Sequence, residues 1–404
     1  MASAKKKSQS PHTPPQNNHV PAPLELVLQL MAIPGASGDE QQIANFVRQT
    51  LVDAGADPKQ IRYDQAHLHT PIDGNTGNLI FKLPGTVRAP RRLLMSHLDT
   101  VPICVGSLPV RRGNRLLSGN PGHGIGADNR AGVAVILHTA TQLLQSNLPH
   151  PPLTFLWTVQ EEIGLHGARN ANLSMLGNPK LAFNWDGGAA DKVTVGATGG
   201  YRMQIEIQGL ASHAGNAPEQ GVSAIAIAAI AIADLQQTGW HGDIRKNGRR
   251  GTSNIGVIQG GNATNVVADH VFLRAEARSH DASFRKQIVK QIEAAFKRAA
   301  KKVTSSKGKQ GKVKFRGQLD YEAFRLAPDE PAVVAASNVI RQLGHEPVLS
   351  VTNGGLDANW MSSRGIPTVT LGCGQLHQHM AQEELHIPTF LLACDIALQL
   401  ARAN

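Results

Sequence analysis

The chain places acids and imidazoles where apolar runs end. "PLTFLWTVQEEIG" closes on Glu161 and Glu162 side by side, "LLMSHLDTVP" on His97 and Asp99, and "FNWDGG" on Asp186. "GHGIGADNRAG" sets Asp128 just ahead of an apolar stretch, and "LGCGQLHQHMAQEELHIP" sets His379 after another strand-like run. Each alone has an ordinary explanation, since Asp caps helices and turns and paired glutamates are usually solvated. Five element ends that each carry an acid or a His point instead to convergence on one site. Burying several carboxylates together is costly unless a cation neutralises them. Nitrogen and oxygen donors without thiolate suit a pair of zinc ions, or cobalt or manganese. One carboxylate can bridge two ions. Of the adjacent glutamates, one is expected to bind metal and the other to stay free and move the proton of a water. His97 and Asp99 lie two apart on a strand and share a face, so Asp99 can take the imidazole N–H and fix the ligating tautomer.

These positions need a scaffold, and the flanking pattern supplies one. Helices are expected at Leu24–Met31, Asp39–Ala54 and Asn129–Leu144, with strands at "NLIFKL", "RRLLMSHL", "LTFLWTVQ" and "LAFNW". Strands alternating with helices argue for an α/β fold, a mixed, mainly parallel sheet covered by helices, with ligands at the carboxyl edge. From Tyr201 the pattern changes. Strand "YRMQIEIQG", a helix over "PEQGVSAIAIAAIAIADLQQ" entered at Pro218, strands "TSNIGVIQGG" and "NVVADHVFLRAEARS", helix "DASFRKQIVKQIEAAFKRAAKK" and strand "GKVKFRGQLDY" make a β-α-β-β-α-β unit. That order is ferredoxin-like. From Ala327 the α/β pattern resumes, with a helix at Pro331–Leu343, strand "TVTLG" and a helix at Thr389–Ala401. The expected organisation is a disordered tail over 1–22, a catalytic domain over 23–196 and 327–404, and an inserted lid over 197–326.

Composition agrees with a two-domain enzyme. A length of 404 residues exceeds one hydrophobic core, and 41% hydrophobic with 17% charged residues is globular. No run of eighteen apolar residues crosses a membrane, and the basic N-terminus lacks the apolar stretch of a secretory signal. Cys104, Cys373 and Cys394 form no CxxC pair, which argues for a cytoplasmic setting. The net charge is +10, and the lid holds most of the excess, about 19 Lys/Arg against about 10 Asp/Glu between Ala197 and Glu322. With few aromatics interleaved, this reads as a solvated basic face, and no nucleic-acid partner is expected. "NPGHGIGAD" is neither a P-loop nor G-x-G-x-x-G.

The stretches "SHLDTVP", "GADNRAGVAVIL", "TVQEEIGLHGA", "NWDGG", "GLASHAGNAPEQGVSAI", "NIGVIQGGNATNVVADHVFLRAEARS", "NGGLDANWMSSRGIPTVTLGCG" and "HMAQEEL" keep one order from about residue 75 onward. Together they resemble the co-catalytic dizinc peptidases that include peptidase T (tripeptide aminopeptidase), glutamate carboxypeptidase and aminoacylase, and most of all the peptidase T-like branch. The resemblance implies one metal on His97, Asp128 and Asp186 and another on Asp128, Glu162 and His379. His379 is preferred to His377 and His386 because His379 and Glu383 match the family's His-x-x-x-Glu spacing. Glu161 would be general base and then general acid, and Asp99 would orient His97. The lid resembles a dimerisation domain whose His213 would stabilise an oxyanion, in some relatives from the partner subunit. Asn265 and Arg278 would bind substrate, Arg by its bidentate fork. The resemblance also implies a cis peptide at Asp128–Asn129.

The expected activity is hydrolysis of the N-terminal bond of a short peptide by a homodimer. Its rivals are a carboxypeptidase, dipeptidase or N-acyl-amino-acid deacylase of the same family, and a non-catalytic polyanion-binding protein on a peptidase fold. The segment "GWHGDIRKNGRRG" has no counterpart in the resemblance.

Overall fold

The computed structural model describes residues 22–403, so the tail expected over 1–22 lies outside the described residues but for Ala22. A nine-stranded sheet forms the body. Its middle strands, Leu153–Thr158, Arg92–His97, Leu181–Trp185 and Thr368–Leu371, lie side by side and parallel. Antiparallel strands flank them, Leu79–Leu83 with Ile61–Tyr63 on one side and Lys192–Ala197 on the other. Val348–Thr352 and Phe324–Arg325 pair with Lys192–Ala197.

The middle strands are buried at nearly every position because both faces are covered. Leu94, Phe155 and Phe183 point into one core with the helices Pro23–Ala32, Ala127–Gln145 and Ile387–Ala401. Leu93, Met95, Leu156 and Ala182 point into a second core, against Ala168 and Met361. With side chains thus committed, all four middle strands end at one edge, where their last polar residues collect.

The lid sheet is fully antiparallel and runs Gly242–Lys246, Arg249–Gly260, His270–Ser279, Gly199–Gln208, Lys312–Tyr321. Its last four strands with the helices Ala224–Gln237 and Ala282–Lys302 make the ferredoxin-like order. Met203, Ile205 and Ile207 alternate inward against those helices and form a separate core.

Three local readings need correction. The helix expected from Pro218 starts at Ala224: Pro218–Gln220 is a single 3-10 turn, and Ser223 Oγ caps the helix by accepting the Ala226 N–H at 3.1 Å. The segment "GWHGDIRKNGRRG" makes a hairpin that adds a fifth strand at the lid's edge. Strands Lys192–Ala197 and Val348–Thr352 add to the expected set: each is a short run of five or six residues whose partner lies far along the chain. No described helix is long and apolar enough to cross a membrane.

Candidate metal centre

The strand Arg92–His97 delivers His97, which is buried. Its Nε2 lies 3.1 Å from Asp128 Oδ1, and its Nδ1 lies 3.0 Å from the Asp99 carbonyl oxygen and 3.4 Å from Asp99 Oδ1. Asp99 is fully buried and heavily engaged. Its Oδ1 accepts the Glu161 N–H at 2.9 Å, and its Oδ2 accepts the Glu162 N–H at 3.1 Å and the Ser37 hydroxyl at 2.6 Å. These contacts, with His97, hold the Asp99 carboxyl below the usual range despite its burial.

Gln160 separates the strand Leu153–Thr158 from the two glutamates by adopting a left-handed backbone, φ 54°. That conformation is uncommon for a residue with a side chain and turns the chain sharply at the strand end. The Gln160 N–H is fixed by Glu40 Oε1 at 2.9 Å. Glu162 then meets His379, with Oε2 and Nε2 2.9 Å apart, and the same Nε2 lies 3.3 Å from Asp128 Oδ2. His379 also has positive φ, 64°. Asp128 therefore stands between two imidazoles, which pull its pKa well down. The Asp128–Asn129 peptide is cis. Asp186 follows the strand Leu181–Trp185 directly.

Ligand atoms of His97, Asp128 and Glu162 lie within 4.8 Å of one another, and so do those of His97, Glu161 and Asp186. Asp128, Glu161, Glu162, Asp186 and His379 line one cleft of about 260 Å³ together with Gly187, Gly188, Lys192 and Thr352. No described residue donates a hydrogen bond to the Asp186 or Glu161 carboxylates. Burial, with the neighbouring acids, pushes Asp186 up to about 8, Glu162 up to about 7, and Glu161 well above its ordinary value. Buried Glu161 and half-buried Asp186 without donors, facing two imidazoles and no thiolate, fit a divalent cation pair: the ions would supply the missing positive charge.

The lid residues lie elsewhere. His213 is exposed, and its Nδ1 accepts the N–H groups of Gly215 and Asn216, both at 3.1 Å. Asn265 sits beside it, its carbonyl accepting the Ala214 N–H at 2.9 Å. Neither lines the cleft in this subunit. Arg278 is paired with Glu276 through two 2.9 Å contacts. It lines a separate small pocket of about 70 Å³ with Asn353, one residue beyond the cleft's Thr352.

Several supporting residues had no role in the sequence reading. Glu383, used there only to choose among histidines, accepts the N–H groups of Gly126 at 2.6 Å and Asp128 at 2.9 Å. Asn129 donates to the Trp185 carbonyl at 2.8 Å, accepts from Gln375 at 2.8 Å, and so ties Asp128 to Asp186. Asp357 is buried against the Thr158 hydroxyl, and burial raises it to about 6. The segment "GGLDANW" holding Asp357 was part of the resemblance, but nothing in its spacing marks the acid as buried.

A sheet with covered faces, an antiparallel lid and an edge of clustered N and O donors together define a metallopeptidase. Residues 195–304 match the family described as peptidase dimerisation domain, and residues 78–224 match peptidase family M28. A tripeptidase from Staphylococcus aureus is 30% identical and superposes with a TM-score of 0.85, covering 95% of this chain and 98% of its own. Aminopeptidase PepT from Bacillus cereus is 29% identical with a TM-score of 0.80 and the same coverage, 95% and 98%. Carboxypeptidase G2 from Pseudomonas is 28% identical over 90% of this chain and 84% of that protein. The chain belongs to the metallopeptidase family of peptidase T and carboxypeptidase G2. It is an enzyme, which sets aside the non-catalytic polyanion binder.

Proposed function

We propose that this peptidase removes the N-terminal residue of short peptides at a dinuclear metal centre. The observation that carries this reading is the meeting of His97, Asp128, Glu161, Glu162, Asp186 and His379 at one sheet edge, where the Glu161 and Asp186 carboxylates have no donor among the described residues. His97, Asp128 and Asp186 would hold one ion, and Asp128, Glu162 and His379 the other, zinc being the metal that this donor set suits best. Such a pair, when bound, polarises a carbonyl and lowers the pKa of a water.

Glu161 takes a proton from the attacking water and returns it to the leaving amine. Its raised pKa suits a group that must carry that proton between two steps. Asp99 holds His97 in one orientation and pins the backbone of both glutamates. On the lid, His213 serves the oxyanion, and Asn265 and Arg278 serve substrate. The match to a dimerisation domain supports a homodimer; in it, His213 and Asn265, which do not line the cleft of their own subunit, would serve the partner's cleft. Separate body and lid cores support the division into a body and an inserted lid, and Ala197, Phe324 and Leu326, at the ends of the 197–326 segment, pack into the body core. Three unpaired, buried cysteines support a cytoplasmic setting.

A tripeptide panel read by mass spectrometry tests the substrate assignment. Release of the free N-terminal residue is expected. Release of the C-terminal residue instead would install the carboxypeptidase reading, which the likeness to carboxypeptidase G2 keeps in view.

A further inference from the structure

The lid sheet has one face packed on its helices and one face open. Along the open face every acid is already paired. Glu206 binds His270 and Lys314, Glu276 binds Arg278, and Asp320 binds Arg202 at 2.7 Å. Two guanidinium groups are left over. Arg274 and Arg316 have no ion pair or hydrogen bond among the described residues, and both are exposed.

Their placement is specific. Arg274 and Arg316 stand directly opposite Gln204 from either side, in the registers Arg274↔Gln204 and Arg316↔Gln204. Neighbouring strands lie about 4.8 Å apart, so two long cationic side chains on one face flank an amide across roughly 10 Å. Like charges so placed repel, and no acid among the described residues forms an ion pair with either. Positive charge on an edge strand is a common guard against sheet-to-sheet pairing, which accounts for Arg316 alone. Arg274 and Arg202 lie on interior strands, where no such guard is needed.

The groups also share a half-open cleft. Arg202, Gln204, Arg274, Arg316 and Gln318 line a cleft of about 510 Å³ together with Asp320, which Arg202 pairs, and its far wall is Pro71, Ile163 and His166 of the body. Arg202 bridges the two walls by donating to the Ile163 carbonyl at 3.3 Å. This cleft shares no lining residue with the metal cleft. Its volume lies in the range of small-molecule sites, and it has a body wall facing the sheet.

We propose that this seam between lid and body is a second binding site, for a small multivalent oxyanion gripped by Arg274 and Arg316 with the Gln204 and Gln318 amides. Guanidinium forks match the planar or tetrahedral oxygens of carboxylate and phosphoryl groups. The proposal does not rest on the peptide specificity assigned above.

The test uses the full-length, metal-loaded protein and a fluorescent, non-chelating trianion, methoxypyrene trisulfonate, followed by anisotropy. Saturable binding is expected, weakening as salt rises, together with at least a tenfold loss of affinity in the double variant Arg274→Gln/Arg316→Gln. The control variant Arg245→Gln/Lys246→Gln, on the edge hairpin, should bind as the wild type does. Melting curves confirm that both variants are folded, and hydrolysis of a neutral tripeptide should be unchanged in both. Displacement of the probe by a sugar phosphate or by tricarballylate then identifies the ligand's oxyanion as phosphoryl or carboxylate. The proposal is overturned by absence of binding, by an equal loss in the hairpin control, or by a probe that neither competitor displaces.

Discussion

The Asp99 carboxylate accepts the backbone N–H of Glu161 at 2.9 Å while its own imidazole neighbour, His97, faces Asp128. One acid therefore sets the position of both a candidate ligand and the candidate base. Outer contacts of this kind typically carry 10–100-fold in metal affinity or activity. Asp99→Ala is expected to weaken metal binding by about that factor and to lower turnover at saturating metal as well. Competition with a chromophoric chelator measures the first and peptide hydrolysis the second. Unchanged values in a folded variant would show that the contact is structural only.

Glu161→Gln keeps the shape of the side chain and removes its ability to carry a proton. Fold and metal content should persist, while kcat falls by roughly 10²–10⁴, the usual worth of general acid–base catalysis. Elemental analysis and steady-state kinetics on the same sample check this. Loss of metal in that variant would move Glu161 into the ligand set, where its nearness to His97 and Asp186 also allows it to stand.

Much of this site could be read from the residues themselves. His97, Asp128, Glu162 and Asp186 end strands or open a helix, and the alternation of buried strands with helices brings such ends to one edge. What escaped reading depends on long-range folding. Glu40 and Ser37 act from a segment before the first strand, and Glu383 reaches Asp128 across 255 positions. A polar residue whose partner lies that far away carries no local periodicity. The second strand pair of the body edge, Lys192–Ala197 with Val348–Thr352, was hidden for the same reason.

Glu383 holds the turn that presents Asp128, because its two oxygens satisfy the N–H groups of Gly126 and Asp128. Glu383→Ala leaves those buried donors open, at a cost of about 1–3 kcal/mol. A melting temperature several degrees lower and weaker metal retention are expected. Glu383→Gln retains one acceptor oxygen and should recover part of both. Calorimetry of the three proteins side by side distinguishes this from a role in turnover alone, which would leave melting unaltered.

His138, on the helix Ala127–Gln145, is pushed down from 6.5 to about 4 by burial, and its Nδ1 has no partner among the described residues. The unfolded chain takes up the proton first as pH falls, so this group costs no stability above pH 6.5 and erodes it progressively from 6.5 toward 4. The slope it adds is at most about 1.4 kcal/mol per pH unit. His138→Gln should flatten the pH dependence of denaturant unfolding in that window while leaving it unchanged at pH 8. Parallel curves for the two proteins would place the acid sensitivity elsewhere.

The most direct test is to strip the protein of metal and titrate zinc back, following binding by calorimetry and peptide hydrolysis in the same samples. Two equivalents of ion should bind, activity should return with them, and His379→Ala should bind fewer. Full hydrolysis by the stripped protein, or added zinc that neither binds nor restores activity, would contradict a paired-cation site at the meeting of His97, Asp128 and Asp186.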